Sequence, residues 1–201
     1  WHRQAPSLFV VSLPNQRARQ DIADYAKAVG VPAQPALSAL GAAPMVFNAL
    51  SLDGDGTPVP VLNSDDGFAL LFGTLDPAQV EQVVGSMMRP FPAGLMTGVG
   101  LLVANPAYAS AAARSRFDAP AYHGTVVWSW QQAIQAPGLE RQLARTDFPP
   151  PLLARPLPAH RFLVVAISAA TPAPSPGLGS SPPPTAPSSF SIALRSGEEG
   201  L

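Results

Sequence analysis

The sequence predicts a mainly helical body over residues 7–143, with one short β-hairpin, followed by a low-complexity tail. Three observations carry this. Apolar residues recur at helical spacing in several segments that begin and end on capping residues. An Asp-Gly-Asp-Gly stretch separates two apolar runs. The 25 prolines crowd toward the C-terminal end, where Thr171 to Ser191 sets seven of them among Ser, Ala, Gly and Thr.

The first element is a helix from Asn15 to Val29. Asn15 suits the N-cap, and Ile22, Tyr25, Ala26 and Val29 fall on one apolar stripe. Arg17, Arg19, Asp21, Asp24 and Lys27 lie mostly off that stripe. Gly30 fits the left-handed position that ends a helix, and Pro32 prevents continuation. Next, Val46 to Leu52 and Thr57 to Leu62 flank Asp53-Gly-Asp-Gly56, which reads as a hairpin turn. Pro58 and Pro60 lack ladder donors, so the second strand lies at an edge. A calcium loop would need an acid at its twelfth position, which is Ser64 here.

Ser64 opens a short apolar helix that runs to Gly73. Asp76, Pro77 and Gln79 then form the start of another, with Val80, Val83, Val84, Met87 and Met88 as its buried stripe and Pro90 and Pro92 beyond its end. The tight Gly73-Thr-Leu75 connection makes these two an αα-hairpin. Residues 91–106 are too rich in glycine for a helix interior and read as irregular or strand-like pieces packed on helices. Ala107 to Ala119 is a small-residue loop carrying Arg114 and Arg116. Thr125 to Ala136 is expected to be a helix with Val126, Val127, Trp130, Ala133 and Ile134 as its apolar face, interrupted at Pro137-Gly138. After Asp147 the pattern stops. Residues 1–147 are therefore expected to be the folded domain, and 148–201 a Pro-rich tail, disordered from about Thr171, in which His160 to Ala170 is a lone apolar run.

Composition excludes several functions. Twelve Lys and Arg stand against 13 Asp and Glu, and only 12% of residues are charged. Nucleic acid is thus not an expected partner, because phosphate binding needs a basic surface. No apolar run reaches the length of about 18 residues that a membrane helix needs, so no membrane partner is expected. With no cysteine, disulfides and thiol chemistry are excluded and the compartment stays open. His2, His123 and His160 are too scattered for a metal site, and no cofactor is expected. The chain begins at Trp1 without a signal pattern and is read as a fragment.

The chemistry concentrates in Pro120-Ala-Tyr-His-Gly-Thr-Val-Val-Trp-Ser-Trp-Gln-Gln132. Aromatic faces stack on the apolar face of a pyranose, while His, Gln and backbone groups bond its hydroxyls. Two Trp two residues apart on a helix point in nearly opposite directions, so one of them belongs to the core. Trp130, with Ala133 and Ile134, has the stronger core pattern, which leaves Trp128 for the pocket. Tyr122, His123 and Trp128 are the expected sugar-facing residues, with Thr97 and Asn105 close by. Asp65 and Asp66 read as a shared-proton pair, or as residues that cap a helix or face solvent.

Three blocks resemble a known family. Ser64-Asp-Asp-Gly-Phe-Ala-Leu-Leu-Phe-Gly73 resembles the Ser-Asn-x-Gly-x-x-Leu-x-x-Gly segment of amylo-α-1,6-glucosidase (glycogen-debranching-like) domains. Gly94-Leu-Met-Thr97 is similar to their Gly-x-Arg-Thr element, and Tyr122-His-Gly-Thr-Val-Val-Trp128 to their Tyr-His-x-Gly-x-Val-Trp element. Order and spacing agree over residues 1–143. The resemblance implies a six-hairpin glycosidase, an (α/α)6 toroid around a sugar pocket, acting on an oligo- or polysaccharide of α-linked glucosides or related saccharides. Met96 stands where the family has Arg, Ser129 where it has Pro, and Asp65 where it has Asn, and one residue is missing before Gly124. These differences imply a divergent branch.

Inverting hydrolysis needs two carboxyl groups about 6.5–9.5 Å apart. The family carries its acid upstream of the matched blocks and its base downstream. Asp65, Asp66, Asp118 and Glu140 are the acids inside the match, and no catalytic residue is assigned among them. A fragment of a glycoside hydrolase, itself inactive, is the leading expectation. The alternative is a non-catalytic carbohydrate-binding or structural helical domain. A helical module whose Pro-rich tail engages a proline-recognising domain is a third reading.

Overall fold

The computed structural model describes residues 9–117 and 121–147. The tail, the run His160–Ala170 and Asp118 lie outside the described residues.

Chain order begins with β1 (Val10–Leu13), α1 (Asn15–Val29), α2 (Gln34–Ser38) and β2 (Met45–Asn48). β1 and β2 pair antiparallel, Val11 opposite Phe47, and α1 crosses between them. Ile22, Tyr25 and Ala26 are buried as expected, each large apolar side chain contributing about 1.5–3 kcal/mol. Gly30 ends the helix at φ 72°, the left-handed position. Asn15 is the first helical residue rather than the cap, and Pro14 precedes the helix without a side-chain cap bond. The Asn15 amide instead reaches Gly41 O and Ala43 O at 2.7 and 3.2 Å, tying α1 to the segment after α2. Asp21 is buried, held by Arg17 one turn away at 2.8 Å.

The turn at Asp53–Gly56 forms. Asp53 Oδ1 accepts from the Asp55 and Thr57 N–H groups, and Leu50 and Val59 exchange ladder bonds with one another's side of the hairpin. The flanking strands pair elsewhere, however. β2 takes β1, and β3 (Leu62–Asn63) takes the later β6 (Ala104–Asn105). The Pro58 and Pro60 positions leave too few donors for a longer local ladder.

The helix α3 (Asp66–Phe72) follows, with α4 (Pro77–Met87) after it. α4 carries the full capping box: Asp76 accepts from Gln79 N at 2.9 Å and Gln79 Oε1 accepts from Asp76 N at 3.0 Å. Ser64 does not cap α3; its hydroxyl is used in the core. The two helices do not pack as an αα-hairpin either. α4 lies on β2 and β3, while the main partner of α3 is α6. Gly73 is extended, φ −86° and ψ 172°, so the chain leaves α3 straight instead of folding back.

Residues 91–106 are strand-like pieces, as expected: β4 (Met96–Thr97) and β5 (Gly100–Leu101) form a hairpin, and β6 follows. The helix α5 (Ala111–Arg114) lies within the expected loop. The helix α6 (Ser129–Leu143) starts four residues later than expected and runs through Pro137 without interruption. It starts late because Gly124 and Val126 give their carbonyls to Ala104 and Val103, at 3.1 and 2.7 Å, which holds the chain extended beside β6.

α3 and α6 run parallel. Gln131 near the start of α6 bonds Ser64 and Asp65, and Gln142 near its end bonds Leu70 and Gly73. Two glycines set their separation. A Cβ on Gly67 would strike the Gln135 amide, and one on Gly138 would sit 3.0 Å from both Leu70 Cβ and Leu71 N.

Candidate functional site

The site gathers where α3 and α6 begin. The segment before α6 is pinned by the bonds from Val103 and Ala104, and Thr125 bonds Phe117 O at 3.1 Å through both its N–H and its hydroxyl. Trp128 is extended, φ −113° and ψ 133°, which turns its ring inward against Val103 and Val126. Tyr122 and His123 lie over it. The Tyr122 ring centroid is 4.3 Å from Trp128, His123 is 4.8 Å from Trp128, and the two outer rings are 5.0 Å apart. Trp128 is 8% exposed, whereas Tyr122 is 65% exposed. The three therefore form a floor and two open rims.

Two carboxylates flank this cluster. Asn63 Oδ1 accepts from Asp65 N at 3.1 Å and fixes the turn into α3. Asp65 is exposed, and its Oδ1 accepts from Gln131 Nε2 at 3.0 Å. Partial burial raises its pKa, opposed by the nearby His123 and by the Gln131 bond. Asp66 points the other way. Its Oδ1 accepts from Asn48 Nδ2 at 3.0 Å, while Oδ2 has no solvent contact and no partner. Burial pushes this carboxyl up to about 6, against the Asn48 bond and with help from Asp65. The two acids are thus neither a helix cap by their side chains nor a pair facing solvent together.

Tyr122, His123 and Trp128 are brought together, and the side chains of Thr97 and Asn105 are engaged with backbone groups. Thr97 lies in the β4–β5 turn, where its hydroxyl donates to Gly100 O at 2.7 Å and accepts from Val99 N at 3.2 Å. Asn105 is fully buried. Its amide donates to Pro92 O and Gly94 O at 2.8 Å each, and its carbonyl oxygen accepts from Ala107 N. Every polar atom of Asn105 is spent on backbone, so it holds the glycine-rich segment in shape.

Trp130 is not a core residue. It is 41% exposed, 5.8 Å from Phe68 and 5.7 Å from Trp128. Of the expected apolar face, Trp130 and Ala133 are exposed and Ile134 is half-buried, while Val126, ahead of the helix, is buried and Val127 packs against the core. The inner face of α6 is Gln131, Gln132, Gln135 and Gln142, at most 1% exposed, together with Gly138 and Leu139. A scale of hydrophobicity reads glutamine as outward. Spacing alone carried the correct signal, because Gln131, Gln135, Gly138 and Gln142 recur at helical intervals.

Among the described residues no group of three or more His, Cys, Asp and Glu is placed to hold a metal ion, and no helix is long and apolar enough to cross a membrane. A small apolar crevice lined by Leu70, Val84, Met87, Met88, Leu101, Gln135 and Leu139 lies elsewhere, and none of the candidate residues lines it. No protein-family model matches this chain, and no curated protein or solved structure matches it either.

Proposed function

We propose that Tyr122, His123 and Trp128, with Asp65 beside them, bind a saccharide, and that the chain belongs to a six-hairpin glycosidase acting on α-linked glucosides. One observation supports this above the others. Two sequence blocks far apart in the chain, around Asp65 and around His123, meet where two parallel helices begin. Parallel inner helices with their starts at one opening are what an (α/α)6 toroid requires. The rings offer stacking surface, while the Asp65 carboxylate and the His123 imidazole offer an acceptor and a donor for hydroxyls.

A second reading, binding without hydrolysis by this chain, is favoured by the closure of Asp66. Inversion needs two reachable carboxyl groups. Beside the cluster the described residues present Asp65 openly and shut Asp66 Oδ2 away. Binding is therefore assigned to these residues, and the acid and base to none of them. The test is a panel of α-linked gluco-oligosaccharides, scored separately for saturable binding and for reducing ends released. Saturable binding of at least one member supports the reading, and binding of none overturns it. Release of reducing ends would move hydrolysis into this chain.

A further inference from the structure

Among the described residues the exposed large apolar side chains are Phe68, Phe72, Val99, Tyr122 and Trp130. All but Val99 are aromatic, and the four rings join Trp128 in one unbroken succession. Centroid to centroid, Trp128 lies 4.3 Å from Tyr122 and 5.7 Å from Trp130. Trp130 lies 5.8 Å from Phe68, and Phe68 lies 6.3 Å from Phe72. Local sequence accounts for part of this. Phe68 and Phe72 are four residues apart on α3, so they share one face, and their planes differ by 15°. The rest is tertiary: Trp130, the second residue of α6, meets Phe68 because α3 packs on α6.

The succession leads out of the Tyr122–Trp128 cluster and along α3. Phe72 is its far end and its most open ring, 73% exposed. Polar groups border it. Asp65, three residues before Phe68, and Ser129, between the two tryptophans, are both exposed. Inside the cluster, the buried Trp128 Nε1 has no hydrogen-bond partner among the described residues, which leaves a donor for a ligand hydroxyl. A pyranose chain fits a surface of this kind, because each sugar turns an apolar C–H face to a ring and its hydroxyls to the polar border.

We propose that Trp130, Phe68 and Phe72 continue the cluster as a stacking track for a linear saccharide, so that the site selects its ligand by chain length. This rests on the reading of Tyr122, His123 and Trp128 as a saccharide site. A disaccharide covers the Tyr122–Trp128 end alone, while the further residues of a longer chain stack on the rings beyond it.

Isothermal titration calorimetry of the full chain with an α-linked gluco-disaccharide and the heptasaccharide of the same linkage tests this. The native chain should bind the heptasaccharide at least about ten-fold more tightly than the disaccharide. Phe72→Ala and Trp130→Ala should each lose most of that gain, with the loss falling on the heptasaccharide. Phe72→Tyr should keep it, because stacking needs the ring. Both rings are at the surface, so the unfolding midpoints should stay close to native. Equal Kd values for the two ligands in the native chain would overturn the track and leave the cluster as a short site. A length gain that survives both alanine variants would overturn it by placing the extra contacts elsewhere. Binding of neither ligand by the native chain would overturn the saccharide reading of the cluster and the track with it. A native dimer in sedimentation that Phe72→Ala returns to a monomer would overturn the track in favour of a second copy on this face.

Discussion

Gln132 completes a strand edge for Leu101. Its Oε1 accepts the Leu101 N–H and its Nε2 donates to the Leu101 carbonyl, each at 2.8 Å. β4 pairs with β5 on the opposite edge, so the amide takes the place of a missing third strand. Both side chain and backbone are out of water here.

Gln132→Leu therefore strands two buried backbone groups although it adds apolar surface. At about 1–3 kcal/mol for each unpaired group, the loss of stability should be about 2–6 kcal/mol. Urea unfolding of the variant checks this. An unchanged or higher midpoint would show that the amide bonds are idle.

The close approach of α3 and α6 depends on Gly67 and Gly138. Gly67→Ala should destabilise by about 1–3 kcal/mol through overpacking against Gln135. Gly85 offers the internal comparison, since it is exposed within α4 and a Cβ there meets nothing within 4 Å. Gly85→Ala should stabilise by about 0.5–1 kcal/mol. Thermal unfolding of both variants should move in opposite directions, and a shift of the same sign in both would contradict the packing described.

Asp66 gives a pH signature. Its carboxyl titrates near 6 in the fold against a usual value of 3.8, so the folded chain holds this proton more tightly than the unfolded chain does. Stability from this group is complete below about pH 4, falls as pH rises to about 6, and is then lost by about 3 kcal/mol. Asp66→Asn keeps the oxygen that faces Asn48 and removes the ionisation. Its advantage over the native chain should be small at pH 4 and largest at pH 7.5 in chemical denaturation. A difference that does not vary with pH would remove Asp66 from this role.

Capping residues were legible in the sequence wherever they act locally. Asp76, Gln79 and Gly30 behave as their types and spacings dictate. Strand partners were not, because β2 finds β1 and β3 finds β6 across long stretches of chain, and no local pattern encodes that choice. The α6 face was misjudged for a physical reason: glutamine carries both a donor and an acceptor, so it can be buried against backbone edges such as Leu101 and Gly73. Trp130 then falls on the outside, contrary to its pattern with Ala133 and Ile134. Of the candidate site, the Tyr122–His123–Trp128 grouping was readable because it lies in one loop and the residue beyond it. The Asp65 contribution depends on α3 and α6 lying parallel. Thr97 and Asn105 were placed near the site through loop proximity, and both are instead consumed by backbone bonds.

The most direct measurement is a titration of the full chain with linear α-linked gluco-oligosaccharides, followed by tryptophan fluorescence and run beside Tyr122→Ala and His123→Ala. Trp128 lies within 4.3 Å of Tyr122 and 4.8 Å of His123, so occupancy should perturb its emission. The account predicts saturable binding by the native chain and at least about a ten-fold weaker Kd in each variant, equivalent to about 1.4 kcal/mol, with unchanged unfolding midpoints. Equal affinity in all three proteins, with lower stability in the variants, would contradict it and make the cluster a purely structural cover for Trp128.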